Sequence, residues 1–180
     1  EFAKLGCGVV DADKLAHEVL FREDVQQQIA EKFGKGVFGE NGSVDRFKLA
    51  EIVFKDKEKL EKLNRIVHPA VLAKSEELIE HYNSRDDIIC VVLDIPLLSE
   101  TGWEKHCDYV VFVESKFSQR LARAKKRGIS DENQFKNREK FQISLDIKKN
   151  IADNTVNNNS SLAELTEQVV KIFSYVVNNG

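Results

Sequence analysis

Two short runs of uninterrupted apolar residues constrain this chain more than anything else in it: Ile88-Ile89-Cys90-Val91-Val92-Leu93 and Tyr109-Val110-Val111-Phe112-Val113. A strand with one face in water alternates apolar and polar residues. A run without alternation reads as a strand covered on both faces, as at the centre of a parallel sheet. Helical spacing surrounds both runs. Val25, Ile29 and Phe33 recur every four residues, Leu60, Leu63 and Val67 keep the 3.6-residue period, and Leu162 to Val177 reads as an amphipathic closing helix. Strands that alternate with helices predict an α/β fold built on a parallel sheet.

The first 20 residues extend this pattern. Phe2, Leu5 and Gly6 look like a helix end with a glycine cap, Gly8-Val9-Val10 like a strand, and the residues from Lys14 like a helix. Helix-strand-helix order predicts that the opening strand of the βαβ unit lies before residue 1. The chain begins with Glu1 and contains no methionine, so residue 1 reads as an internal position. Residues 23–67 read as helices around the turn Glu40-Asn41-Gly42-Ser43, with Asp45 a candidate cap. His68-Pro69 is expected to interrupt, with a further helix from Val71 to Tyr82. Ser118 to about Lys149 is helical and rich in Lys and Arg, and Asn154–Ser161 is a polar loop around a short strand.

Composition narrows the function classes. A net charge of −3 argues against a general polyanion binder. No apolar run approaches the ~20 residues of a membrane-spanning helix, and no signal peptide is visible. Cys7, Cys90 and Cys107 are isolated and odd in number, which suits reduced thiols and a cytoplasmic location better than a disulfide framework or a zinc site.

Ligands of open parallel sheets gather beyond the carboxyl ends of the strands. Those ends carry Asp11 and Asp13, then Asp94 and Pro96, then Glu114. Arg123 and Arg127 lie four apart, and Arg138 follows eleven later. Converging guanidinium groups suit a transferring phosphoryl group, whose charge is spread over its oxygens. A solvated helix face paired with its own carboxylates explains the same spacing. Read as a nucleic-acid surface, the basic stretch ranks last, because Asp131, Glu132, Glu139 and Asp146 are interleaved with it.

Five blocks in order resemble the dephospho-CoA kinase family. They are the opening Glu1–Leu20 with Asp11-Ala12-Asp13, Gly42-Ser43 with Arg46 and Leu49, Val67-His68-Pro69, and Asp94-Ile95-Pro96-Leu97-Leu98 with Glu100. The last runs from Arg123 through Arg127, Arg138, Gln142 and Ala152-Asp153 to Val156-Asn157-Asn158-Asn159. The resemblance covers essentially the whole chain. It implies a P-loop kinase fold: a parallel sheet flanked by helices, with a helical substrate-binding insertion and a helical lid. Residues 1–20 and 88–180 would form the core, about 128–149 the lid, and 21–87 the insertion.

The activity implied is transfer of a phosphate from ATP, with magnesium, to the ribose 3′-hydroxyl of dephospho-CoA. Asp13 matches the proposed general base; capping the following helix is its other reading. Arg138 and Arg127 match phosphate-contacting residues of the lid. Asp11, His68, Pro69, Asp94, Pro96 and Leu97 match the acceptor side, and Arg123, Asn157 and Asn158 the ATP side. His68 reads equally as a half-buried structural histidine. Asp94 reads equally as an organiser of magnesium through water or as a turn cap. No residue is assigned as a direct metal ligand. Asn157, Ser160 and Ser99 depart from the family's usual residues.

The chain contains no Gly-x-x-x-x-Gly-Lys-Ser/Thr pattern, and Gly34-Lys35-Gly36 lacks its spacing. The resemblance therefore implies a phosphate-binding loop upstream of Glu1, and little turnover by these 180 residues alone. The alternatives are another small-molecule or nucleotide kinase of this fold, or a non-catalytic relative. The expected partners are dephospho-CoA and ATP, without nucleic acid or membrane, in a monomer or weak homo-oligomer.

Overall fold

The computed structural model describes residues 1–128 and 132–179, without the side chains of Gln134 and Arg138. Its order is β1 (Gly8–Asp11), α1 (Ala12–Val19), α2 (Glu23–Phe33), α3 (Arg46–Val53), α4 (Lys57–Asn83), β2 (Val91–Asp94), β3 (Val111–Glu114), α5 (Phe117–Lys126), α6 (Glu132–Lys140), α7 (Leu145–Ile151), β4 (Asn154–Asn157) and α8 (Leu162–Asn179). The fold is α/β, with parallel strands and helices beside them. No described helix is long and apolar enough to cross a membrane.

The chain divides into two compact units. One comprises Glu1–Gly8, Asp87–Val92 and Leu97–Gly180; the other comprises Val9–Asp86 and Leu93–Pro96. The second unit has its own apolar centre. Val25 and Ile29 of α2, Leu49 and Val53 of α3 and Ile66 of α4 close around Val37 and Val44. Ile29 and Val37 are fully buried. Burying one such side chain contributes ~1.5–3 kcal/mol, so this cluster fixes the helices that carry the loop ends.

In the first unit, β3 and β4 run parallel, with Val111 opposite Asn154 and Glu114 opposite Asn157. Asp153 sets this register: its carboxylate accepts the Val110 N–H at 2.7 Å, and its own N–H donates to the Val110 carbonyl at 2.9 Å. β1 and β2 form a separate two-stranded sheet.

The strands are shorter and more open than the apolar runs suggest. β2 starts at Val91 rather than Ile88, and β3 at Val111 rather than Tyr109. Ile89 is 56% exposed and Val113 55% exposed, so these runs are not covered on both faces. Each described sheet has two strands, and so gives a strand a neighbour on one edge only.

Helix α4 corrects a second expectation. It runs unbroken through His68-Pro69. Proline lacks an N–H and crowds the preceding turn, at a cost of ~3 kcal/mol or more inside a helix. Pro69 is exposed, where water can serve the carbonyl that loses its donor. On either side of it, Ile66, Val67 and Ser75 are buried on the same helix. Packing of that stripe outweighs the local break.

The cysteines are free, as expected of reduced thiols, but Cys7 and Cys90 are not isolated. Their sulfur atoms lie 2.9 Å apart at the starts of β1 and β2. Burial, together with the hydrogen bond from Cys90, pushes the Cys7 thiol up to about 12.

Candidate functional site

The site residues divide between the two units. In the second unit, β1 ends at Asp11, whose carboxylate accepts the Lys14 N–H at 2.9 Å and caps α1. The helix therefore starts at Ala12, two residues earlier than its apolar spacing indicates. Capping falls to Asp11, and Asp13 stands exposed in the first turn with no hydrogen-bond partner among the described residues.

One turn along α1 is His17, a residue the sequence reading passed over. Burial and the charge of Arg46 hold its imidazole below the ordinary value of 6.5, against the opposing pull of Asp13 and Asp11. These four residues make one electrostatic group along α1 and at the start of α3. The i, i+4 spacing of Asp13 and His17 was a signal available in the sequence.

His68 is half-buried on α4, and burial lowers its pKa. Its neighbour Pro69 lines a groove of about 250 Å³ with Arg22, Arg65, Ile66 and Ala73. Arg22 is held by Asp24 through two bonds of 3.0 and 2.8 Å, leaving Arg65 as the cation without a described partner. Asp94 and Pro96 are exposed at and just after the end of β2.

In the first unit, Leu97 is half-buried, and its carbonyl accepts the Thr101 N–H at 3.0 Å. Arg123 on α5 reaches the loop after β4. Its guanidinium donates to the Asn158 carbonyl at 3.0 Å, to the Asn158 side-chain oxygen at 3.1 Å and to Ser115 Oγ at 3.2 Å. Asn158 also donates its N–H to the Glu114 carbonyl at 2.8 Å.

Asn157 is held by α8: Gln168 accepts its N–H at 2.8 Å and donates to its carbonyl at 3.0 Å. Beside it opens a cleft of about 530 Å³, lined by Lys116, Asn157, Asn159, Glu164, Gln168 and Lys171. Asn159 braces this rim, accepting the Lys116 N–H at 2.6 Å and the Gln119 side-chain amide at 2.7 Å. Neither Gln168 nor Asn159 is marked by spacing. Their role arises from the meeting of β4, α5 and α8.

Arg123 and Arg127 stay one helical turn apart, the Arg127 N–H donating to the Arg123 carbonyl at 3.2 Å, but their side chains do different work. Arg123 is committed to Asn158, while Arg127 is the exposed C-cap of α5. The side chain of Arg138, on α6, lies outside the described residues. What fastens α6 is another arginine: Arg120 pairs with Glu139 at 2.9 Å and also donates to the Ser115 carbonyl. On the strand side, Glu114 pairs with Lys149 at 2.9 Å. Among the described residues, no three His, Cys, Asp or Glu side chains gather as a metal site.

A family model described as CoaE, dephospho-CoA kinase, matches residues 1–164. Among similar proteins, a dephospho-CoA kinase from Aquifex aeolicus is 38% identical over 173 residues, 96% of this chain and 86% of that protein. One from Bacillus licheniformis is 41% identical over 174 residues, covering 93% and 84%. Of solved structures, TT1252 from Thermus thermophilus superposes with a TM-score of 0.73 at 31% identity, over 97% of this chain and 87% of that one. A dephospho-CoA kinase from Campylobacter jejuni gives 0.66 at 26% identity, over 98% and 88%.

Proposed function

The chain belongs to the dephospho-CoA kinase family, and on that premise we propose that it carries the acceptor and lid machinery for moving the γ-phosphate of ATP onto the ribose 3′-hydroxyl of dephospho-CoA. Asp13 accepts the proton of that hydroxyl as its oxygen bonds to phosphorus and the bond to ADP breaks. The observation that carries this assignment is the division of labour at the end of β1. Asp11 takes the helix cap, which leaves the Asp13 carboxylate with no described hydrogen-bond donor to compete with a substrate. An acceptor-side carboxylate of this kind contributes ~10²–10⁴-fold.

Residues 21–87 serve as the acceptor domain. His68, neutral at pH 7 because burial disfavours its charge, lines the acceptor side with Pro69, Asp11, Asp94, Pro96 and Leu97. Arg123 holds the Asn157-Asn158 loop in shape for ATP, an assignment supported by its two bonds to Asn158. Arg127 and Arg138 neutralise charge on the transferring phosphate, and exclusion of water by the lid over 128–149 suppresses ATP hydrolysis. Magnesium would be held chiefly by substrate phosphates with one or two carboxylates, a demand that the exposed Asp94 fits without a cluster of protein ligands. When bound it would offset phosphate charge.

The test is ADP release by the full-length gene product with dephospho-CoA, alongside adenosine, nucleoside monophosphates and shikimate as acceptors. The expected result is turnover of dephospho-CoA with CoA as product. Turnover of another acceptor in its place, or of none, would overturn the reading.

A further inference from the structure

Glu100 stands in the turn after β2, within the unit that includes residues 97–180. Its side chain is 15% exposed, as is that of Lys148. Oε1 accepts the Ile143 N–H at 3.0 Å and lies 3.0 Å from Lys148 Nζ, which also donates to Gln142 at 3.0 Å. One carboxylate oxygen therefore holds the stretch that joins α6 to α7 from 43 residues away. The other oxygen, Oε2, is buried and has no hydrogen-bond partner among the described residues.

Local structure does not require this arrangement. Helix α7 has its own cap, Ser144, whose hydroxyl accepts the Ile147 N–H at 3.3 Å. Helix α6 is tied separately to α5, through Arg120–Glu139 and through the rings of Phe117 and Phe135, 5.7 Å apart. Nor is the arrangement an efficient stabiliser, because desolvation of a carboxylate with one unpaired oxygen offsets the attraction of its partner. What it does supply is a fixed location for the α6–α7 junction.

We infer that Glu100 is a positioning residue for phosphoryl transfer, fixing the α6–α7 junction, which together with the Arg120–Glu139 pair sets α6, the helix that carries Arg138. This role rests on the reading of residues 128–149 as the lid. Phosphoryl transfer depends on placement of the groups around the phosphate, and a misplacement of about 1 Å costs up to ~10²-fold. A loosened junction also admits water, so ATP hydrolysis without acceptor should rise relative to transfer.

The experiment compares full-length wild type with Glu100→Ala, the milder Glu100→Gln and the charge swap Glu100→Lys/Lys148→Glu. Amide hydrogen exchange over residues 143–151 is read beside kinetics. The expected result for Glu100→Ala is faster exchange there with α2–α4 unchanged, kcat lower by ~10- to 100-fold, and a higher ratio of hydrolysis to transfer. KM for dephospho-CoA should stay within about threefold, since the loss is one of placement rather than of ground-state binding. Glu100→Gln should fall between, and the swap should recover part of the ratio. Unchanged exchange in both single variants overturns the anchor, whatever the activity. Faster exchange with an unchanged ratio overturns the positioning role. A wild-type protein that does not phosphorylate dephospho-CoA overturns the kinase reading and the role with it, while exchange still reports on the anchor.

Discussion

Asp11 and Asp13 are two residues apart, and their side chains meet different demands. Asp11 satisfies a helix N–H at 2.9 Å, so Asp11→Ala should cost ~1 kcal/mol of stability and lower Tm by a few degrees. Asp13→Asn should leave Tm unchanged and lower kcat by ~10²–10⁴-fold. Thermal melts and ADP-release kinetics on the two variants of the full-length protein check this together; retained kcat in Asp13→Asn would remove the base. His68 adds a pH dependence. Burial holds its folded pKa below the ordinary 6.5, so between the two values the unfolded chain binds more protons than the folded one. Its contribution is therefore complete above pH 6.5 and is lost as pH falls through the folded pKa. Urea midpoints between pH 7.5 and 5 should fall for the wild type and fall less for His68→Gln. The sequence identified the two aspartates as a pair at a strand end but left their roles open, because which one caps α1 depends on where the helix starts. That is decided by the burial of Ala12, Leu15 and Val19.

Helix α4 illustrates what local signals leave out. His68-Pro69 reads as a stop because proline is the strongest local breaker, yet the buried residues on both sides of it belong to one stripe. Replacing Pro69 with Ala restores the missing donor and should stabilise the protein by up to ~3 kcal/mol. A rise in Tm measured by calorimetry checks it, and a fall would mean that the proline packs in a way alanine cannot match. The caps at Asp11, Asp45 and Asp56 were within reach of sequence reasoning, since each side chain bonds N–H groups two or three residues ahead. The brace that Arg123 gives Asn158 was not, because the two residues are 35 apart. Spacing placed Arg123 and Arg127 on one helical face. The end of α5 after Lys126 makes one a brace and the other a cap.

At the scale of the molecule, alternation of strands and helices was enough for the α/β class, and the order of five short blocks was enough for the family. Sheet arrangement was less accessible: an apolar run reports what surrounds it only when its neighbours are known. The helical unit has its own centre, in which Val25, Ile29, Val37 and Val53 are at most 1% exposed. Ile29→Ala should cost ~2–5 kcal/mol. Hydrogen exchange should show the loss in α2–α4 and leave β4 and α8 protected, since the residues that contact Ile29 lie outside that unit's partner. Uniform loss of protection would mean that the units open together.

A private centre for residues 9–86 also bears on how such a chain changes over generations. Mutations that reshape α2–α4 are absorbed by their own neighbours, so the lineage can alter the surface of this unit without disturbing the packing of the other.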